Sequence, residues 1–200
     1  MRFILLFVFL VSWSFGFSQQ KFDAAAAKKY QQKLNKEYVD PKTSPLEAQD
    51  LAAFKSLNFY PVSEKYFVKA RFVRTPKEKP FQMKTSTDRT PIFIKYGEAH
   101  FEINGKKCKL NLYQDVVSAR NPQYKNDLFL PFFDETSGKE SYTGGKYIDL
   151  KIPKGNTIAI DFNTSYNPYC AYNYRYSCPK VPLENDLKVA IRAGVKKFHD

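Results

Sequence analysis

The spacing of apolar positions along this 200-residue chain changes near Glu64. Upstream it is helical. Lys21 to Tyr38 is rich in alanine and lysine, both good helix formers. Phe22, Ala26, Tyr30, Leu34 and Tyr38 give it a thin apolar stripe, which predicts a helix lying on the outside of the domain. In Ser44-Pro45-Leu46-Glu47 a capping hydroxyl, a first-turn proline and a glutamate three residues on predict a capping box. That box opens a second short helix over about Pro45 to Leu57, with Leu46, Ala53, Phe54 and Leu57 facing inward.

From Glu64 onward the period is two. Tyr66, Val68, Ala70 and Phe72 alternate with Phe67, Lys69, Arg71 and Val73, and Phe81 and Met83 alternate with Gln82 and Lys84. The stretch TPIFIKYGEAHFEINGKKCKLNLYQD reads as three consecutive strands. Asn104-Gly105 marks a two-residue hairpin turn, because a type I′ turn needs positive φ at both central positions. Ala99, Phe101 and Ile103 then share one face, and Cys108, Leu110 and Leu112 share the apolar face of the next strand. DLFLPFF is a further strand, with Pro131 signalling an edge or a bend. KYIDLKI and TIAIDF are joined by a short turn and are expected to pair antiparallel, which would bring Gly145 and Tyr147 close to Asp161 and Asn163. The final segment, ENDLKVAIRAGVKKF, fits either a strand or a helix face; Gly194 and the β-branched residues favour a strand. The fold class expected is mainly β (α+β): an antiparallel β-sandwich or partly closed barrel with a two-helix N-terminal lead-in.

The first residues do not belong to that pattern. Arg2, an unbroken apolar run from Phe3 to Val11, and small residues at Gly16 and Ser18 have the form of a secretory signal peptide over residues 1–18. Residues 19–200 then form one domain, a helical lead-in over 19–60 and a β domain over 61–200. A lipid anchor would need a cysteine after the cut, where Gln19 stands. The apolar run is short for a bilayer span and no other long one follows, so the mature chain is expected to lack a transmembrane segment and to be exported, to the periplasm or beyond.

Formal charge is +12, one less once Arg2 is removed. The bases are scattered, which suits a solvated surface, although a basic face also attracts anionic partners. Export argues against nucleic acid as a partner. Catalytic signatures of the common kinds are missing: no Gly-x-Ser-x-Gly, no His-Glu-x-x-His, no Gly-x-Gly-x-x-Gly. No cofactor is implied. His100 shares a polar strand face with Glu98 and Glu102, which could hold a metal but more simply faces solvent, so no metal site is assigned.

The densest chemistry lies in DFNTSYNPYCAYNYRYSCPKVPLEND, Asp161 to Asp186. It holds two of the three cysteines and five of the fourteen tyrosines. Cys170 and Cys178 have seven residues between them. In an oxidising compartment the simplest reading is a disulfide stapling an irregular loop; free thiols and a zinc site are the alternatives. Cys108 reads as a small buried hydrophobe.

LFLPFFDETSGKESYTGGKYIDL and the Asp161–Gly194 stretch strongly resemble the domain-of-unknown-function 1684 family, over roughly Leu46 to the C-terminus. The matching positions are Asp134, Ser141-Tyr142, Gly145-Lys146-Tyr147, Asp161, Asn163, Tyr166, Asn167, Cys170, Cys178, Glu184 and Asn185. Lys146 stands where arginine is usual, and Val195 stands where a glutamate is. The resemblance implies a family without an assigned activity. Rings for stacking, with amides and acids for directed hydrogen bonds, suit a small-molecule or glycan site. Asp134, Tyr147, Asp161, Asn163, Tyr166, Asn167, Glu184 and Asn185 are therefore the candidate ligand-binding residues. Two other readings stay open: a hydrolase using Asp134, Asp161 or Glu184, and a purely structural envelope protein.

Overall fold

A computed structural model describes residues 20–199, so the signal-peptide reading lies outside the described residues. Helix α1 runs Ala24–Val39; the Asp23 carboxylate caps it, accepting from the Ala25 and Ala26 amides at 2.9 and 3.1 Å. The second helix is shorter than its sequence suggests. α2 spans only Ala48–Ala53, Glu47 precedes it without a side-chain cap, and Ser44 Oγ accepts instead from the Leu46 amide at 3.2 Å. None of its six residues is fully buried; Leu51 is partly buried against the second apolar cluster, which Leu46 and Leu57 on either side of α2 join.

Seven strands follow: β1 Phe67–Arg74, β2 Phe81–Gln82, β3 Ile92–Ile103, β4 Lys106–Asp115, β5 Asp127–Phe132, β6 Lys146–Lys151 and β7 Thr157–Asp161. They form one antiparallel sheet ordered β6-β5-β4-β3-β1-β7, with β2 beside β3. The three strands expected between Thr90 and Asp115 are two. β3 runs through as one long strand because a bulge between Lys95 and Gly97 absorbs the irregularity without ending it. Gly97 permits this: a Cβ there would lie 2.6 Å from the Phe72 ring and 2.7 Å from the Val73 carbonyl on β1. The Asn104-Gly105 turn has φ of 54° and 72°, as its hairpin requires.

The expected β6–β7 hairpin does not form. β6 pairs with β5 and β7 pairs with β1, at opposite ends of the sheet order. The sheet curls into a half-barrel, and its two ends are bridged just beyond β7, where Tyr147 and Tyr166 exchange backbone hydrogen bonds of 2.9 and 3.0 Å. One curled sheet, not two packed ones, therefore realises the partly closed barrel. Its interior is filled by alternate residues such as Ala70, Phe72, Ala99, Phe101, Leu110, Leu112, Leu130, Ile148 and Ile160. Cys108 is only partly buried at the margin of this core.

The C-terminal segment lines the core without becoming a strand. Leu187, Val189, Ile191 and Ala193 are buried at strand-like spacing. Their backbone groups, however, are satisfied by scattered partners instead of a ladder: Leu187 N to Phe133 O at 2.9 Å, Val189 O from Glu135 N at 3.4 Å, and Val195 N to Ser165 O at 3.0 Å. A second apolar cluster (Leu34, Tyr38, Leu46, Leu57, Tyr172 and Val195) fastens the helical lead-in to the cysteine loop and to the end of the chain.

Pro131 lies in β5, an interior strand, not at an edge. It sits where the β4–β5 ladder has broken down to the single pair Tyr113–Phe129. Asn185 takes over there: its side chain donates to Asn111 O and Pro131 O at 2.9 and 2.7 Å and accepts from Asn111 N at 2.8 Å. One amide side chain thus stands in for a missing stretch of strand pairing.

Candidate functional site

Residues of the outer sheet face, α1 and the cysteine loop enclose a groove of about 440 Å³. Each contribution follows from local periodicity. On β6, Tyr147 and Asp149 point away from the core that Ile148 joins, and Phe129 of β5 lies opposite Asp149 in register. α1 presents Tyr30, Lys33, Leu34 and Glu37, one stripe at helical spacing. Tyr166, Pro168 and Tyr169 come from the start of the loop, and Ser177, Cys178 and Pro179 from its end.

Hydrogen bonds fix the walls. The Tyr147 hydroxyl donates to the Pro179 carbonyl and so ties the loop's end to β6. The Tyr166 hydroxyl donates to Asp149 Oδ2 at 2.9 Å. Tyr147 and Tyr166 meet edge to face at 5.9 Å, and Phe129 and Tyr147 at 4.7 Å. Asp149 is exposed to water along the groove. Desolvation raises its pKa above the ordinary aspartate value; the Tyr166 hydrogen bond works the other way, Asp127 adds to the rise and Lys151 opposes it. Burial raises the Tyr30, Tyr147 and Tyr166 phenols as well, with Asp149 adding to the rise at Tyr30 and Tyr166, so all three stay neutral.

Of the eight residues singled out from the sequence, the groove brings together Tyr147 and Tyr166. The others are elsewhere. Asp134 is fully buried and ion-paired with Lys146 at 3.1 Å, neither side chain touching water. Its other oxygen accepts from the Thr136 and Ile191 amides at 2.8 and 3.1 Å. Desolvation lowers the Lys146 pKa, with Asp134 pulling it back up. Lys146 also donates to the Ile191 and Ala193 carbonyls at 2.8 and 3.4 Å. Asp161 caps its own turn, accepting from the Asn163 amide and side chain at 3.0 and 2.7 Å. Burial raises the Asp161 pKa, and these two bonds oppose the rise. Asn163 clasps Ser63, giving and accepting one backbone hydrogen bond of 2.9 Å each. Asn167 is buried and donates to Lys196 O at 2.9 Å. Asn185 bridges β4 and β5, and Glu184 is exposed outside the groove. The three carboxylates proposed for hydrolysis do not share a site.

Sequence reasoning missed Asp149 as a site residue. Its signal was its parity with Tyr147 on β6. Tyr30 and Phe129 carried no such signal, since each reads as an ordinary apolar position.

Cys178 lines the groove and is buried; Cys170 is half-buried beside it. The Cys170 amide donates to Cys178 Sγ at 3.2 Å, and both stand as free thiols. A hydrogen bond with the neighbouring Cys178 lowers the Cys170 pKa, and the same contact together with burial raises that of Cys178. Among the described residues no group of three His, Cys, Asp or Glu side chains is placed to hold a metal. Glu98 meets His100 at 3.0 Å but also Lys95 at 2.9 Å and Lys109 at 3.5 Å, so that face is an ion-pair cluster.

No helix among the described residues is long and apolar enough to cross a membrane. Among curated proteins, none matches the chain. A solved structure is similar: the solution NMR structure of an uncharacterised protein from Haloarcula marismortui, 27% identical, covering 86% of this chain and 92% of that one, with a TM-score of 0.67. A sequence profile described as "Protein of unknown function (DUF1684)" matches residues 52–196, which include both sheet ends, the cysteine loop and the C-terminal core segment. The chain belongs to that family, whose members are described as proteins of unknown function.

Proposed function

We propose that the protein is a small-molecule binding module whose ligand lies in the groove between α1, β6 and the cysteine loop. The observation that carries this reading is the groove itself: three elements far apart in sequence converge on a concavity walled by aromatic rings beside the Asp149 carboxylate. Such a surface is what small ligands use, apolar area with few polar groups. A sealed packing of the tyrosines would instead have favoured a purely structural part. The hydrolytic reading needs two carboxylates facing one bond, and Asp134, Asp161 and Glu184 are each committed or placed elsewhere. A glycan remains within the class, since rings and an acid also suit a sugar.

Ligand-observed NMR with a panel of sugars, amines and carboxylates tests the reading, with protein amide shifts locating the site. Binding is expected to move resonances of Tyr30–Glu37, Tyr147–Asp149 and Tyr166–Pro179 together. Shifts confined to another surface, or none across the panel, overturn it.

Export is part of the same proposal. N-terminal sequencing from the native host is expected to find Gln19 at or near the start, outside the cytoplasm; Met1 on a cytoplasmic species would remove it.

A further inference from the structure

Granting that the groove binds a small molecule, we infer that its ligand is an organic cation, an amine or quaternary ammonium group on a small apolar body, with Asp149 as its counter-ion. The argument starts from what each polar group in the groove has already given away. Among the described residues the Asp149 carboxylate has one side-chain partner, the Tyr166 hydroxyl, and no ion pair. The nearby lysines are engaged. Lys151 is paired with Asp127, and Lys33 reaches Glu37 at 3.5 Å on the helix surface. Asp149 is exposed along the groove beside these rings and has no cation of its own.

The walls point the same way. Tyr147 spends its hydroxyl proton on Pro179 O, and Tyr166 spends its own on Asp149. What the half-buried Tyr166 retains for a ligand is ring surface, whose electron-rich face attracts cations at separations up to about 6 Å, while the Tyr147 ring is buried against it. Tyr30, Phe129 and Tyr169 add three more rings. A neutral sugar needs a different set, amides and hydroxyls free to donate and accept in fixed directions. The nearby amides are not free: Asn163, Asn167 and Asn185 are all turned to backbone groups outside the groove. With Lys33 and Glu37 paired to each other on the helix side, the groove offers the Asp149 carboxylate and several π faces, the combination that recognises ammonium groups.

The test compares choline with 3,3-dimethylbutan-1-ol, which has the same shape without the charge, by titration calorimetry and amide shifts on the full chain, with maltose as the sugar probe. Choline is expected to bind in the groove about tenfold or more tighter than the alcohol. Asp149→Asn, at a solvent-facing position, is expected to erase that preference, with its melting curve confirming the fold. Tyr30→Leu, which keeps apolar bulk but removes a ring, is expected to weaken choline more than the alcohol. Equal affinity for choline and the alcohol, or a preference for maltose, overturns the cation while leaving a binding groove in place. If none of the three probes shifts the groove residues, both readings fall.

Discussion

Lys146 is a lysine whose side chain has no contact with water, and its partner Asp134 is equally sealed. A buried ion pair is weak grounds for stability in itself, but breaking one strands an uncompensated charge, at a cost of about 3–5 kcal/mol. Asp134→Ala is therefore expected to lower unfolding free energy by about that much in urea denaturation. Asp134→Asn combined with Lys146→Met should cost clearly less, because no charge is left alone. A near-zero effect of Asp134→Ala would mean the pair is not sealed in solution. Glu98 supports a pH prediction. Hydrogen bonding from Lys95, helped by His100 and Lys109, lowers its pKa to about 2. A carboxylate depressed on folding contributes stability above its unfolded pKa, near 4.3, and loses it as pH falls toward 2. Glu98→Gln should thus destabilise at pH 6 and have little effect at pH 2, read from denaturation midpoints at both. The sequence misled on Asp134 for a physical reason. It lies in a polar, glycine-bearing loop, where an acid reads as solvated. Among its partners are the Ile191 amide, more than fifty residues away along the chain, and the buried Lys146 ammonium.

Among the elements, those with strong local signals were legible. The Ala/Lys stretch gives α1, period-two runs give the strands, and Asn104-Gly105 gives the β3–β4 turn. What was not legible is pairing between elements far apart. A four-residue turn between KYIDLKI and TIAIDF suggested a hairpin, yet the curled sheet offered each strand a different neighbour. The two polar loops still end up together, through the Tyr147–Tyr166 bridge instead of the hairpin. The two segments are thus neighbours as expected, while the hairpin argued for them does not form. The cysteine loop carries its own prediction. With Cys170 and Cys178 adjacent, oxidation is expected to link them without rearrangement of the fold, and closing so short a loop stabilises by roughly 2–3 kcal/mol. Peptide mapping without reductant should recover the two as one linked pair, and reductant should lower the melting temperature. A link that includes Cys108 instead would show that the partly buried thiol is reachable.

At the scale of the whole molecule, the core is completed from its far end. Leu187, Val189, Ile191 and Ala193 fill the half-barrel, and Val195 joins the cluster beneath α1. The lead-in meets the C-terminal segment directly: Tyr60 N bonds Gly194 O at 2.9 Å and Lys196 N bonds Asn58 O at 2.7 Å. A chain ending at Asp186 is therefore expected to lose cooperative unfolding and near-ultraviolet circular dichroism, although it retains all seven strands; a native-like melt from it would show the segment to be dispensable. Fold class was readable from composition and period, because those depend on local sequence. Closure by an extended, ladder-free segment was not, because its backbone partners include a buried lysine and a carbonyl from a distant turn. This arrangement also sets an order of events. A polypeptide emerging amino end first from a ribosome presents these seven strands while the hydrophobic interior is still waiting for residues 187–195. Until residues 187–195 clear the exit, that interior stays incomplete. Residues 187–195 would then act as the timer of the native state.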